Sequence, residues 1–241
     1  MLSIKVYGPA LKGDDPRPLA VVRAVERSLP DLRLEWAVAE DHQVHHVSQR
    51  AEWLARAQNS GGFPMLCNND EHWPVTVFGL GLSANSGPGG KALFEVQVEL
   101  PMTEPVLAAA ADLLGAVAVS ANAFWGHATP FGASVEISGQ TVHPHEPGSP
   151  PRGLPALKAP AQIHSPELPH RIGWLNYWSE ATSRAIGLPE SARDVGWISR
   201  PLEGGWLVQL TEAPLDLERP EHLASLRHAY ERFPAIGGQS K

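Results

Sequence analysis

The feature that most constrains this fold is a proline-rich segment at residues 138–171. It holds eight of the chain's 23 prolines and shows no helical or strand periodicity. Because proline fixes φ and lacks a backbone N–H, such a segment runs as an extended surface connection between regular elements. It either joins two units, residues 1–137 and 171–241, or crosses one domain. We favour a single domain over residues 1–241, because the part after the segment is too short to form a robust core alone.

Outside this segment, hydrophobic periodicity predicts both helices and strands. Helical patterns lie at residues 19–29, 47–57, 104–123, 180–186 and 220–233, and strand patterns at 3–7, 32–36, 63–67, 75–80, 93–100, 133–137, 195–199 and 206–211. The strands outnumber the helices and do not alternate regularly with them. The predicted fold class is therefore α+β: a mainly antiparallel mixed sheet with helices packed on one side, and the proline-rich segment as a strap before a C-terminal β-α portion.

The cleanest alternation in the chain lies at residues 93–100. Its even-numbered positions are apolar, and positions 95, 97 and 99 are polar. This pattern is typical of an antiparallel strand with one solvated face. We therefore expect Glu95 and Glu99 to face water.

Charge is unevenly distributed. The net charge is −7, and no Lys or Arg occurs between Lys91 and Arg152. That stretch is either a buried middle or an acidic docking face. An acidic balance argues against nucleic-acid binding, which needs clustered Lys and Arg, and suits a basic protein partner. The carboxylates predicted to contact such a partner are Glu95, Glu99, Asp70 and Glu71.

Cysteine usage and hydropathy predict the compartment. Cys67 is the only cysteine, so no intramolecular disulfide can form, and a reducing cytoplasm suits the chain. No apolar run approaches the roughly 18 residues that span a bilayer. We expect a soluble cytoplasmic protein that binds no membrane.

Two residues could take part in catalysis. Cys67 lies near His72 in sequence, as in a thiol-dependent enzyme, but a small buried side chain at a strand end is the favoured interpretation. His127 follows the long helix at 104–123, and we expect it to cap the C-terminus of that helix. We therefore predict no enzyme and no cofactor.

Three histidines, His42, His45 and His46, form an H-x-x-H-H run. Zinc ligands often have such spacing on a helix, but no Cys or carboxylate downstream completes the set. A solvated loop is favoured and no metal is expected, although the sequence leaves this question open.

Aromatic residues cluster near the C-terminus. Clustered tryptophans are more often packing residues than a ligand cage. The predicted scaffold core comprises Trp125, Gly173, Trp174, Tyr177, Trp178, Trp206 and Tyr230.

The order of these motifs resembles the immunity protein 52 family of bacterial polymorphic-toxin systems. The residues that carry the resemblance are Gly173-Trp174, Tyr177, Ser179, Leu210-Thr211, the segment 219–223, Ala123-Phe124-Trp125 and Ser134-Val135. An uncharacterised bacterial family, a domain of unknown function of the DUF5953 kind, is more similar still. It shares the Gly-Trp-Leu-Asn-Tyr-Trp-Ser core and the His-Ala-Thr-Pro-Phe segment at 127–131.

The immunity-family resemblance implies a cytosolic protein that binds a cognate bacterial toxin, for example a nuclease, and occludes its active site. Two other functions stay open: a structural or adaptor subunit of a bacterial assembly, and a cysteine-dependent enzyme using Cys67. The sequence does not predict the oligomeric state.

Overall fold

The computed structural model describes residues 1–39, 43–56, 61–142, 149–188 and 197–239. Its helices are α1 (Arg17–Ser28), α2 (Arg50–Arg56), α3 (Glu104–Ser120), α4 (Phe131–Ser138), α5 (Glu180–Ile186) and α6 (Pro220–Arg232). Its strands are β1 (Leu2–Pro9), β2 (Trp36–Val38), β3 (Val44–His46), β4 (Phe63–Cys67), β5 (Thr76–Leu82), β6 (Leu93–Leu100), β7 (Trp125–Pro130), β8 (Thr141–Val142), β9 (Leu157–Lys158), β10 (Leu175–Ser179), β11 (Ile198–Leu202) and β12 (Gly205–Gln209).

Ten of these strands form one sheet. Its order is β11-β12-β10-β7-β1-β6-β5-β4-β2-β3, and every pairing in it is antiparallel. The α+β prediction is confirmed. Strand β10, from the part of the chain after the proline-rich segment, pairs with β7, from the part before it. Both parts therefore contribute to the same sheet.

The first face of the sheet packs against α1 and α3. It carries Ile4, Val6, Val96 and Val98, all fully buried. Each buried side chain of this kind contributes about 1.5–3 kcal/mol, so this face is a large part of the stability of the fold.

Helix α3 can approach the sheet closely because of its small residues. A Cβ on Gly115 would lie 2.7 Å from Leu202 Cδ2 of β11. The Ala- and Gly-rich composition of this helix therefore sets the helix–sheet distance.

The second face of the sheet is covered by α6 and by part of the proline-rich segment. The rings of Trp178 and Phe233 meet edge to face with centroids 5.1 Å apart, and Phe233 directly follows α6. The Trp125 indole N–H, in β7, donates to the carbonyl of Pro166 at 3.2 Å. Helices thus lie on both faces of the sheet: α1 and α3 on the first face, and α6 on the second.

Local predictions differ from the structure in several places, and the strands β3 and β7 were not predicted. Residues 133–137, predicted as a strand, belong to α4, in which Ala133 and Ile137 are buried one helical turn apart. The strand predicted at 32–36 is displaced along the chain, since β2 spans Trp36–Val38. The predicted pair at 195–199 and 206–211 forms β11 and β12, although its first residues lie outside the described ranges.

The sheet ends in two short edge strands, β11 and β3. Strand β11 contains Pro201 and is largely exposed. Strand β3 has three residues, all exposed. Within the described residues, no helix combines the length and hydrophobicity that crossing a membrane requires.

Candidate functional site

The predicted scaffold residues lie in the core with one exception. Trp125, Trp174, Tyr177, Trp178 and Tyr230 are each at most 3% exposed and belong to the hydrophobic core, whereas Trp206 is half-buried. At Gly173, a Cβ would lie 2.3 Å from the Thr129 hydroxyl oxygen. A side chain at position 173 would therefore push the chain away from β7.

A row of cross-strand neighbours links this aromatic core to a polar region. Trp178 lies opposite Trp125, Trp125 opposite Tyr7, and Tyr7 opposite Glu95. The Tyr7 and Trp125 rings stack with centroids 4.2 Å apart. The row leads from the core beneath α6 to a carboxylate on the same face of the sheet.

The exposure predicted for Glu95 is wrong. Glu95 is only 7% exposed, because the proline-rich segment shields this face of the sheet. Gln97 Nε2–H donates to Glu95 Oε1 at 2.5 Å, and Lys5 Nζ lies 4.0 Å from the same oxygen. Burial raises the pKa of Glu95, although Lys5 partly opposes the shift.

Glu95 lines a cleft of about 620 Å³ between the sheet and the proline-rich segment. Its apolar lining includes Leu82, Pro88, Leu93 and Trp125, and its polar lining includes Tyr7, Thr141, His170 and Arg171. We call this space the cleft. Its size falls within the range of about 300–1,000 Å³ that is typical of small-molecule sites.

His170 and Arg171 bring two nitrogen-rich side chains to the cleft. Arg171 Nη2–H lies 3.3 Å from His170 Nδ1, and His170 Nε2 lies 3.1 Å from the carbonyl of Lys158. Both contacts are satisfied when Nε2 carries the proton, so a neutral His170 fits this geometry. Burial, followed by the Arg171 charge, lowers the pKa of His170 to about 3.

Tyr7 in the cleft and His127 in the neighbouring strand β7 also have shifted pKa values. Burial raises the pKa of Tyr7, and the neighbouring Glu95 raises it further. Burial also holds the pKa of His127 well below its usual value, with Arg171 and Lys5 adding to the effect. Both side chains are therefore neutral near pH 7.

The helix-capping role predicted for His127 is wrong. The residue lies inside β7, 3% exposed, and its Nδ1 is 3.1 Å from the Thr129 hydroxyl. It faces the same side of the sheet as Lys5, its cross-strand neighbour in β1.

Tyr230 ties α6 to both ends of the proline-rich segment. Its hydroxyl donates to Gln140 Oε1 at 3.1 Å and accepts from the Ile172 N–H at 3.1 Å. Gln140 Nε2–H in turn donates to the carbonyl of Pro155 at 3.0 Å. These buried hydrogen bonds hold the proline-rich segment in place over the cleft.

An acidic surface lies at the β4–β5 turn. Asp31, Asp70 and Trp73 line a shallow groove together with one cation, Arg33, and Glu71 is exposed beside it. Trp73 Nε1 lies 3.5 Å from the Thr103 hydroxyl, which brings the exposed Glu104 close to the same groove. We call these four carboxylates and Trp73 the acidic surface. Asp70 and Glu71 are thus exposed, as a contact role requires.

The stretch between Lys91 and Arg152 is less acidic at the surface than its sequence suggests. Glu136 pairs with Arg152 and Asp112 pairs with Arg200. Glu99 is half-buried. Among the described residues of that stretch, Glu104 alone joins the acidic surface.

Cys67 and the histidine run do not form a site in the part of the chain that the structure describes. Cys67 is buried at the end of β4, and its thiol has no hydrogen bond to the described residues. His45 and His46 are exposed in β3, and His42 lies outside the described residues. Across the described ranges, His, Cys, Asp and Glu side chains do not come together in a group of three or more that could hold a metal ion.

Only a weak signal for the cleft can be found in the sequence. Lys5 and Tyr7 occupy alternate positions of β1 and thus share a face, which periodicity alone can show. Arg171 follows the proline-rich segment, and nothing in its neighbourhood predicts that it meets β1 and β6.

Comparisons with known proteins locate the fold and the family. The T6SS protein PA0821 of Pseudomonas aeruginosa has a similar structure, with a TM-score of 0.61 and 16% sequence identity over 98% of this chain and 76% of that chain. No curated protein matches the sequence. The resemblance to the immunity protein 52 family stays a prediction. The family model for the domain of unknown function DUF5953 matches residues 13–241. With nearly the whole described sheet and all six helices inside that match, the chain belongs to the DUF5953 family.

Proposed function

We propose that this chain is a cytosolic immunity protein, a non-enzymatic binder that neutralises a cognate bacterial toxin by occluding its active site. The observation that carries the proposal is the acidic surface around Trp73, on a chain with a net charge of −7. The immunity-family resemblance and the fold shared with a T6SS protein support the same class of function.

The charge of the acidic surface favours a basic partner. A nuclease toxin must hold phosphates, and Lys and Arg are the side chains that do so. Opposite charges across an interface steer association, which can reach rates on the order of 10⁸–10⁹ M⁻¹s⁻¹. Asp31, Asp70 and Glu71 would take the place of phosphates in the toxin's site.

Trp73 suits the centre of such an interface. It is half-buried and held through the Thr103 contact, so little side-chain entropy is lost when a partner covers it. Tryptophans are enriched among residues that dominate binding energy. The surrounding carboxylates would form the polar rim.

The test co-expresses this chain in bacteria with the toxin candidate encoded by its neighbouring gene. The test variant is Asp31→Asn/Asp70→Asn/Glu71→Gln, which removes three charges. Asn tolerates the positive φ of 63° at position 31, and an amide at position 70 still accepts from the His72 and Trp73 N–H groups. The matched control removes three exposed carboxylates elsewhere, Glu203→Gln/Glu212→Gln/Glu231→Gln.

Growth should be restored by the native chain and by the control variant. The test variant should associate with the purified toxin about 10-fold more slowly at low salt and should protect poorly. Failure of the native chain to protect would reject the immunity function. Equal behaviour of the two variants would reject the acidic surface as the contact.

A further inference from the structure

The cleft combines an apolar wall with a small set of polar groups. Leu82, Pro88, Leu93 and Trp125 supply the wall. The cleft lies at the opposite end of β5 from the acidic surface, about 20 Å away at ~3.4 Å per residue. It is thus separate from the surface on which the proposed immunity function rests.

Arg171 is the charged hydrogen-bond donor of the cleft, and some of its N–H groups are not used within the described part of the protein. A guanidinium carries five N–H donors in a planar fork that matches a carboxylate. Within the described residues, its hydrogen bond goes to a neutral acceptor, His170 Nδ1, and no carboxylate lies within ion-pair distance. The remaining donors of Arg171 are available to a ligand.

The local charge favours an anion although the whole chain is acidic. Lys5 and Arg171 face the single carboxylate of Glu95, which Lys5 and Gln97 already engage. His127 and His170 are neutral for the reasons given above. A ligand ammonium group would have to displace Lys5, whereas a ligand carboxylate could pair with Arg171, which has no carboxylate within ion-pair distance among the described residues.

The apolar lining beside these groups is suited to hydrocarbon. Trp125 lines the cleft and is held in place by stacking on Tyr7 and by its bond to the Pro166 carbonyl. A rigid aromatic wall binds an apolar group with little loss of entropy.

We propose that the cleft binds a small carboxylate with an apolar body, its anionic group paired with Arg171 and its hydrocarbon part packed on Trp125. Tyr7 lines the same space, beside Glu95.

The test measures binding of three carboxylates by isothermal titration calorimetry: 3-phenylpropionate, indole-3-acetate and hexanoate, each beside its uncharged primary amide. At least one acid should bind with a Kd at or below about 1 mM, as expected for ligands of this size. Its amide should bind at least ~10-fold more weakly, since it lacks the charge that Arg171 pairs with.

Arg171→Gln should abolish the preference for the acid, whereas the control Arg23→Gln, an exposed residue of α1, should keep it. If Arg171→Gln does not fold, Arg171→Lys keeps the charge without the fork and should weaken the acid at least ~3-fold. The proposal is overturned if none of the three acids binds the folded protein at ligand concentrations up to 10-fold above ~1 mM, or if an acid and its amide bind equally. It is also overturned if the affinity for the acid is unchanged when Arg171 is substituted.

Discussion

The substitution Tyr230→Phe should destabilise the protein by about 3 kcal/mol. Tyr230 is 1% exposed, and its hydroxyl joins Gln140 Oε1 to the Ile172 N–H. Gln140 and Ile172 are both fully buried, so neither group can turn to water once the hydroxyl is gone. Each buried group left without a partner costs about 1–3 kcal/mol, and the lost desolvation of the hydroxyl offsets part of the total.

This loss converts into a measurable shift of the melting temperature. The entropy of unfolding is about 2.1 cal/mol/K per residue, which over 241 residues is about 0.5 kcal/mol/K. The Tm should therefore fall by about 6 °C. Urea titration followed by circular dichroism gives the free energy of unfolding, and calorimetry gives the Tm.

Tyr177→Phe provides the matched control. Tyr177 is 3% exposed and donates a single long bond, 3.4 Å, to the carbonyl of Gly204. Its loss should cost less than ~1 kcal/mol. The reasoning is refuted if the two variants lose equal stability, or if Tyr230→Phe loses less than ~1 kcal/mol.

Two further predictions concern packing and pH. Gly126→Ala should cost about 2 kcal/mol in urea titrations, because its Cβ would lie 2.5 Å from Val6 Cγ1 and 2.8 Å from the Lys5 carbonyl oxygen. Gly132→Ala, in α4 with open space around it, should instead stabilise by about 0.5–1 kcal/mol; a loss in both would contradict this account. The pKa of His170 is about 3 when folded, below its ordinary 6.5, so its contribution is complete above pH 6.5 and is lost as pH falls towards 3. Between pH 7.5 and 5 the native protein should lose about 2 kcal/mol more than His170→Gln, measured by urea titration at both pH values, and equal losses would argue against a buried neutral His170.

The regular elements with strong periodicity could be predicted from the sequence. The alternation at 93–100 coincides with β6, and the helices α3 and α6 begin at the prolines and acidic residues that favour a first turn. Such local patterns depend on neighbours within a few residues, which one sequence displays in full.

The burial of Glu95 could not be predicted in the same way. Alternation shows that residues 95, 97 and 99 share a face, but it does not show what covers that face. The cover comes from residues such as Pro160 and Arg171, more than 60 positions further along a segment without periodicity. The cleft therefore depends on contacts between distant parts of the chain.

Residues 133–137 show the same limit at short range. Val135 and Ile137 have β-branched side chains, which favour a strand. However, β7 ends at Pro130, where its neighbours β1 and β10 have no further residues to pair with it. The chain after Pro130 has no partner strand in that position, and α4 forms instead.

The two rims of the ten-stranded sheet have a consequence for how molecules of this protein meet at high concentration. An open rim offers unpaired N–H and C=O groups on which another molecule can add a strand and begin a fibre. Pro201 has no N–H to offer at one rim, and the three-residue β3 gives too little length for stable pairing at the other. The described rims thus resist sheet-to-sheet polymerisation, which allows so wide a sheet to remain open.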